Sequence, residues 1–489
     1  MDAIKEEQFY QKIVYDIWKE KLPNTEFSID DNFFDLGGSS LQAIDIIEKL
    51  SENFQVDIPQ FFANPTIRGI AVSLTEDTGS MKRRFLQTFQ FEKLKRADEK
   101  EVEEYKERYL KINDVKKQYN KYKNILLLGS TGFLGIYLLN QLLAKSSANI
   151  ILIVRAESLE QARSRVCHQY EYYFGKDCYK NNIQRIKVIV GDLKEDKFGL
   201  ADKVYNELAE LIDAIINSAA LVKHMGRNLD FETTNVKIVK NIIDFADNKK
   251  LKDIHHMSTI GIIYGANLEK EKTIFTEYDE ITDNGLTNQY LLSKLKAENI
   301  LIKAREKGIR SNIYRMSGIL FDSKSGKYQR NINESAAYIF YRNLYKLGLI
   351  PADIQRKMDI SCVDKISEAV ISLIFIEGHW NEVYHVINPN GLLIQEILNL
   401  IQECEGNKEK VLRKLSVEEI YNYYKQAEIE EQKLLKQLVF ECEIVSDIGK
   451  STVNIRVDKT VHILEQIGFQ WKTIGKEEIM LAYQEMLQI

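Results

Sequence analysis

With 489 residues, 44% of them apolar and 28% charged, the chain has the make-up of a globular protein too long for one hydrophobic core, so about three domains are expected. Its formal net charge is only −5, but residues 1–78 hold 15 Asp or Glu against 6 Lys or Arg, a front end that repels nucleic acid and suits basic protein surfaces. Five scattered cysteines (Cys167, Cys178, Cys362, Cys404, Cys442) give neither a disulfide framework nor a zinc site, carboxylates through the first residues exclude a signal peptide, and no apolar run approaches the ~18–20 residues that cross a bilayer. No nucleic acid, membrane or metal is therefore expected as a partner, and a reducing cytoplasm is the expected compartment.

The first predicted element is a helix over 8–22, with Phe9, Ile13 and Ile17 at helical spacing and Pro23 ending it. A loop over 24–39 follows, carrying Gly37-Gly38. Ser40 then opens an amphipathic helix through Leu41, Ile44, Ile47 and Leu50. Pro59 and Pro65 bracket a short third piece, and a last turn or two from Ile67 to Leu74 completes a four-helix unit over 1–78. Residues 79–120, with 12 basic and 8 acidic side chains and Glu and Lys interleaved from Asp98 to Lys117, read as a charged helical connector or the first helix of the next domain.

From residue 121 to 389 apolar runs alternate with amphipathic helices: 125–128, 150–154, 186–190, 214–216, 254–257 and 311–314. That order implies a parallel sheet covered on both faces, a Rossmann-like α/β fold. Beyond 390 the pattern turns mostly helical, with runs over 392–404 and 417–440, and reads as a C-terminal lobe over 390–489.

The run NILLLGSTGFLG places a strand before Gly129-x-x-Gly132-x-x-Gly135 and an apolar helix after it. Such a turn lets the backbone approach a pyrophosphate and sets its charge at a helix N-terminus, with Thr131, Phe133 and Leu134 filling the remaining turn positions. The second strand ends at Arg155, where an NAD site places a carboxylate for the ribose hydroxyls; an arginine prefers a phosphate and points to NADPH, with Arg163 or Arg165 as second contacts. Ser218-Ala219-Ala220 closes the fourth strand with residues small enough for the nicotinamide half to pass.

Protonating the oxyanion left by hydride delivery needs an acid of lowered pKa, and a tyrosine four residues before a lysine on one helix face supplies it. Y-x-x-x-K occurs five times, at Tyr15/Lys19, Tyr119/Lys123, Tyr172/Lys176, Tyr290/Lys294 and Tyr421/Lys425. Only Tyr290/Lys294 follows the fifth strand, at the start of a helix after a loop with Gly285. That strand ends in Ser258-Thr259.

The G-x-x-G-x-x-G spacing resembles the extended short-chain dehydrogenase/reductase group. That resemblance implies Asp192, with Leu193 beside it, at the adenine; Thr259 as the oxygen-holding hydroxyl, Ser258 being the fallback; Tyr290 as proton donor; and Lys294 as its tuner. The order of motifs over 124–389, including Arg315 and Tyr384-His385-Val386-Ile387-Asn388-Pro389, resembles the thioester reductase domains that end nonribosomal peptide synthetases and carboxylic acid and aminoadipate reductases. Where those relatives carry Gly-Asn after the arginine, this chain has Ser317-Gly318.

Asp31-Asn-Phe-Phe-Asp-Leu-Gly-Gly-Ser-Ser-Leu41 resembles the attachment sequence of peptidyl carrier proteins, which implies 4′-phosphopantetheine on Ser40; the competing reading makes Ser39 or Ser40 a helix N-cap. Together the resemblances imply a carrier-linked reductase releasing an acyl or peptidyl thioester as an aldehyde or alcohol. Its partners would be a phosphopantetheinyl transferase and upstream adenylation or condensation modules. Three alternatives stand beside it: a carrier-linked ketoreductase or epimerase, a redox-inactive NADPH-binding or cyclising domain, and a structural docking module.

Overall fold

The computed structural model describes residues 3–51, 54–56, 61–62, 64–72, 74–76, 80–220, 231–264, 272–281, 288–332, 335–406, 409–440 and 442–487. The front unit is built on α1 (Ala3–Lys21), α2 (Ser40–Ser51) and the six-residue α3 (Ile67–Val72). Trp18, Phe33, Ile47, Leu50, Phe61 and Ile70 are buried in its centre, where the Trp18 and Phe33 rings lie 5.0 Å apart. Two glycines make this packing possible. Gly37 turns at φ +91°, and a Cβ on Gly38 would sit 2.3 Å from the Phe33 ring.

The all-helical expectation for this unit needs correcting, because Phe54–Val56 pairs antiparallel with Leu74–Glu76. Leu74 therefore lies in a strand rather than in the last helix: it stands opposite Val56, both side chains are buried, and the pairing satisfies backbone groups a frayed turn would leave open. Of the third piece, Pro59 and Ala63 lie outside the described residues, while 61–62 are helical.

The connector is not one solvated helix. It forms α4 (Ser80–Phe89), an extended stretch, and α5 (Glu99–Tyr109), which stops well before Lys117: Leu110 caps it, and Asp114 turns at φ +56°. Phe85 and Phe89 are fully buried, and the extended stretch bonds along the C-terminal region through Glu92 N–H to Gly449 O at 2.7 Å and Lys95 N–H to Thr452 O at 2.8 Å.

Seven parallel strands form the main sheet: β1 (Asn124–Leu128), β2 (Asn149–Val154), β3 (Ile186–Val190), β4 (Ala214–Asn217), β5 (Asp253–Thr259), β6 (Ser311–Met316) and β7 (Val383–Val386). Their order is β3-β2-β1-β4-β5-β6-β7, every neighbour parallel. β1, β2 and β4 are almost continuously buried, as strands covered on both faces must be. Helices α6 (Phe133–Lys145), α7 (Leu159–Phe174), α8 (Asp202–Leu211), α9 (Lys237–Asp247) and α10 (Gln289–Arg305) alternate with the strands. The order reverses between β1 and β4, which opens a crevice at their C-terminal ends.

The boundary expected at 389 does not separate two cores. Residues from 320 to 362, including α11 (Ala336–Leu347), pack with α13 (Ile394–Glu405), α14 (Val417–Gln426) and α15 (Ile429–Phe440). Conversely α12 (Val363–Ile374) and α17 (Asp458–Gln466) return to the sheet, where Ile463 and Leu464 join the core under β1. Between them α16 (Glu443–Lys450) lies against α4 and α18 (Lys476–Leu487) against α13. Among the described residues no helix is long and apolar enough to cross a membrane.

Candidate functional site

At the crevice, Gly129 turns at φ +78°, and a Cβ there would lie 2.5 Å from the Ala219 nitrogen. Gly132 is the N-cap of α6 and donates its N–H to Gly129 O at 3.0 Å. A Cβ on Gly135 would meet Gly129 O at 2.0 Å, so any side chain at that position would force the helix off the turn. The first-turn N–H groups of Phe133, Leu134 and Gly135 have no carbonyl within their own helix to accept them, the condition that makes such an end an anion site. Thr131 is half-buried in the turn beside them. Ser130 is buried with its hydroxyl lacking any partner among the described residues, an orphan that a phosphate oxygen suits.

The β4 end is tied to the β1 end: Ser218 Oγ donates to Leu128 O at 2.7 Å, and Ala219 N–H donates to Asn217 Oδ1 at 3.1 Å. Ala220 continues that half-buried run. Asn217 also reaches His256 Nδ1 at 3.0 Å, and burial holds that imidazole well below the usual histidine range. At the far side, Asp192 Oδ1 accepts Lys194 N–H at 3.0 Å, and Asn241 of α9 donates to Leu193 O at 2.9 Å, which fixes this corner. Arg155 is exposed directly after β2. Arg165, from α7, donates a guanidinium N–H to the Arg155 carbonyl, so the two cations share one place; Arg163, exposed two residues earlier, makes no such contact.

The candidate reacting groups lie one strand over, at the end of β5 and the start of α10. Thr259 ends β5, is buried, and its Oγ1 accepts Gly261 N–H at 3.1 Å, which leaves the hydroxyl proton for a ligand. Ser258 points the other way and donates to Glu298 of α10. Glu298 in turn holds Arg315 of β6, Nη2 to Oε2 at 2.9 Å with both side chains 1% exposed, so the fallback serine is consumed by a buried ion pair. Sequence reasoning misses Glu298, although it lies one turn beyond Lys294 on the same helix.

Asn288 caps α10, accepting Leu291 N–H at 3.2 Å, and Gly285 lies outside the described residues. A Cβ on Gly261 would sit 2.7 Å from Leu291, so α10 approaches the Thr259 turn closely, and Tyr290 packs with Ile260, Ile262 and Ile263 of that turn. Lys294 Nζ donates to Met257 O at 2.6 Å, two residues before Thr259. Burial lowers this lysine to about 8 and raises the Tyr290 phenol to about 12. The expectation of a tyrosine already tuned towards neutrality is thus corrected: in the protein alone the lysine sits on a carbonyl, and desolvation of the phenol wins.

The remaining tyrosine–lysine pairs are scattered. Tyr15/Lys19 and Tyr421/Lys425 lie on α1 and α14, Tyr119 is in no helix, and Gly175 separates Tyr172 from Lys176.

On the front unit, Ser39 is the N-cap of α2. Its Oγ accepts Gln42 N–H at 3.2 Å, while Ser39 N–H and Oγ both donate to Gln42 Oε1 at 2.9 Å. Capping therefore falls to Ser39, and Ser40 is the first helical residue; its side chain lies outside what the structure describes. Leu41 beside it is exposed. The other end of α2 meets the C-terminal region, where Glu48 accepts the Tyr424 hydroxyl at 3.0 Å and pairs with Lys436 at 2.5 Å. Phe85 of α4 lies 5.1 Å from Tyr424 and 5.5 Å from Tyr421, while Arg84 donates to Val56 O at 2.6 Å, so α4 is wedged between the front unit and the lobe.

The fold and its glycine turn define a nicotinamide-dependent oxidoreductase of the extended short-chain dehydrogenase/reductase type, preceded by a small capped-helix unit. Residues 127–370 match the NAD-binding family described as male sterility protein, and residues 12–72 match the phosphopantetheine attachment site family. The chain thus joins a phosphopantetheine carrier domain to a reductase domain of that family. It is 29% identical over 398 residues to a linear gramicidin synthase polypeptide of Brevibacillus parabrevis, covering 81% of this chain and 8% of that protein. It is 30% identical over 387 residues to L-2-aminoadipate reductase of Saccharomyces cerevisiae, covering 74% of this chain and 27% of the enzyme. The chain therefore spans less than a third of the length of these relatives. Among solved structures, a thiolation-reductase di-domain from an archaeal nonribosomal peptide synthetase matches with a TM-score of 0.78 at 23% identity, over 98% of this chain and 97% of that one, which establishes the shared fold.

Proposed function

We propose that this protein reductively releases a carrier-bound acyl or peptidyl thioester, with NADPH as reductant and Ser40 as the point of attachment. The observation that supports the reading is the close approach of α10, which carries Tyr290 and Lys294, to the turn that follows Thr259, on a chain that also has the glycine turn and a carrier domain. NADPH would rest on the Gly129–Gly135 turn, with Arg155 and Arg165 at its 2′-phosphate, Asp192 and Leu193 at the adenine and Ser218–Ala220 along the nicotinamide half; when bound it supplies the hydride. The pantetheine arm supplies the thiol that carries the acyl group and raises its effective concentration at the site. The balance is thioester plus NADPH plus one proton giving aldehyde, free thiol and NADP⁺; a second equivalent converts the aldehyde to the alcohol.

The protein's own groups bind and move the proton. The Thr259 hydroxyl donates to the developing oxyanion, Tyr290 delivers the proton to it, and Lys294 leaves Met257 O to hold the ribose and lower the phenol's pKa. Upstream adenylation or condensation modules and a phosphopantetheinyl transferase load the arm.

The test is single-turnover chemistry on the holo protein, loaded by a transferase from an acyl-coenzyme A. Loss of NADPH absorbance, with a matching aldehyde or alcohol in the mass spectrum, is the expected result. A ketone reduced in preference to the thioester would move the assignment to the ketoreductase class.

A further inference from the structure

Directly beyond β6, Ser317 has a structural task. Its hydroxyl donates to Asp359 Oδ1 at 2.7 Å, and Ser361 donates to the same oxygen at 2.8 Å. Ser361 Oγ also accepts Asn388 N–H, two residues past β7, at 3.1 Å. The segment 358–361 therefore lies across the C-terminal ends of β6 and β7. Thr259 stands opposite Met316 in the β5–β6 register, so Ser317 is one residue beyond the level of the catalytic threonine, on the adjacent strand. Asp359 is thus brought to the rim of the reacting centre, on the side away from the glycine turn.

Its two oxygens differ. Oδ1 is held by both serines, whereas no hydrogen bond or ion pair among the described residues reaches Oδ2 of this half-buried side chain. Desolvation raises the Asp359 carboxyl above its usual range, against the opposing pull of the Ser317 and Ser361 hydrogen bonds. Burial raises the phenols of Tyr264, five residues past Thr259, and Tyr341 of α11, and the Asp359 charge raises both further. Neither phenol has a hydrogen-bond partner among the described residues. Tyr341 also lines an apolar cavity of about 40 Å³ in the C-terminal lobe, with Phe321, Ile397 and Ile401 among its walls. A desolvated carboxylate with one oxygen left without a donor is a costly arrangement, unless a ligand brings the missing one.

We propose that Asp359 is a specificity-determining residue that accepts the amino group, or the amide N–H, α to the thioester carbonyl. The proposal rests on the reductive-release reading and narrows its cargo to aminoacyl or peptidyl groups, as against plain fatty acyl groups. The serine pair aims Oδ2, and the apolar cavity behind Tyr341 has room for a small part of an aliphatic side chain.

The test uses the whole protein with NADPH and two pantetheine thioesters differing in one group, leucyl and 4-methylpentanoyl. The wild type is expected to favour the leucyl thioester in kcat/KM by about 10- to 100-fold, the range of a hydrogen bond to a charged group, and mainly through KM. Asp359→Asn, whose fold is checked by NADPH binding, is expected to bring the ratio to within about twofold of one. Equal use of both thioesters by the wild type, or a ratio that survives in Asp359→Asn, overturns the proposal while leaving reductive release standing; the wild-type arm needs no variant to fold. Turnover of neither thioester removes the reductive-release reading and this proposal with it.

Discussion

Two pairs of adjacent hydroxyls, one on the carrier and one on the reductase, divide their work in the same way. Ser39 is tied into a cap with Gln42, which leaves Ser40 as the first residue of α2; Ser258 is tied to Glu298, which leaves Thr259 with a proton to give. The cofactor corner repeats the pattern with cations, since Arg165 is anchored on the Arg155 carbonyl and the Arg155 side chain stays exposed. In each pair one member is tied to a partner within the protein, and the other is the candidate for arm attachment, proton donation or phosphate contact. A site built this way keeps its geometry without spending the group that reacts.

The comparison breaks most completely at the carrier. Ser40→Ala is expected to abolish arm attachment and all release of tethered cargo, read by intact mass and product analysis, while Ser39→Ala takes up the arm normally. Attachment to the Ser40→Ala protein would exchange the two roles. Next, Tyr290→Phe is expected to lower the single-turnover rate by about 10²–10⁴-fold, and Thr259→Val by about 10²–10³-fold, with NADPH still bound in both. Ser258→Ala should leave the rate per folded molecule near that of the wild type. Smaller again, Arg155→Ala is expected to cut the preference for NADPH over NADH by about 10- to 100-fold, the worth of a charge-assisted bond, measured by titrating each cofactor.

Lys294 sharpens the contrast through pH. Its folded pKa of about 8 lies below the ordinary 10.5, so between those values the unfolded chain carries a proton that the folded chain lacks. The cofactor-free protein should therefore gain stability from this group as pH rises across that window, while NADPH affinity falls because the neutral amine is a poorer donor. Opposite slopes in urea melts and NADPH titrations, both lost in Lys294→Met, are the expected signature. The smallest effects belong to the anchoring members: about 1 kcal/mol for Ser39→Ala, the worth of a helix cap, and about 1–3 kcal/mol for Ser258→Ala, which strips a donor from a buried carboxylate.

What can be read in the sequence is what local sterics and chemistry impose on residue type. Gly129 and Gly135 sit where a Cβ would strike backbone, so the chain can use nothing else there, and the spacing is visible in one dimension. Six of the seven strands announce themselves as apolar runs. The seventh, Val383–Val386, does not, because Tyr384 and His385 interrupt it and only its pairing with β6 defines it. The interleaved lobe is illegible for the same reason: α11 and α13 are both ordinary amphipathic helices, and nothing in either says that they share a core while α17 returns to the sheet. At the site, Glu298 and Asp359 escape notice because each acts through partners far away in the chain, Ser258 and Arg315 for one, Ser317 for the other. Spacing alone misjudges the phenol of Tyr290, since its burial is a property of the whole cluster around the Thr259 turn.

The wedged position of α4 sets where hybrids of this protein can be spliced. Phe85 and Phe89 fill a hollow beside Tyr421 and Tyr424, yet Arg84 on the same helix reaches back to Val56. A foreign carrier grafted ahead of Ser80 would keep that hollow plugged, and would need an acid where Glu48 now meets Lys436. A graft made after Phe89 would carry the plug away and leave the recipient with a sticky aromatic trough.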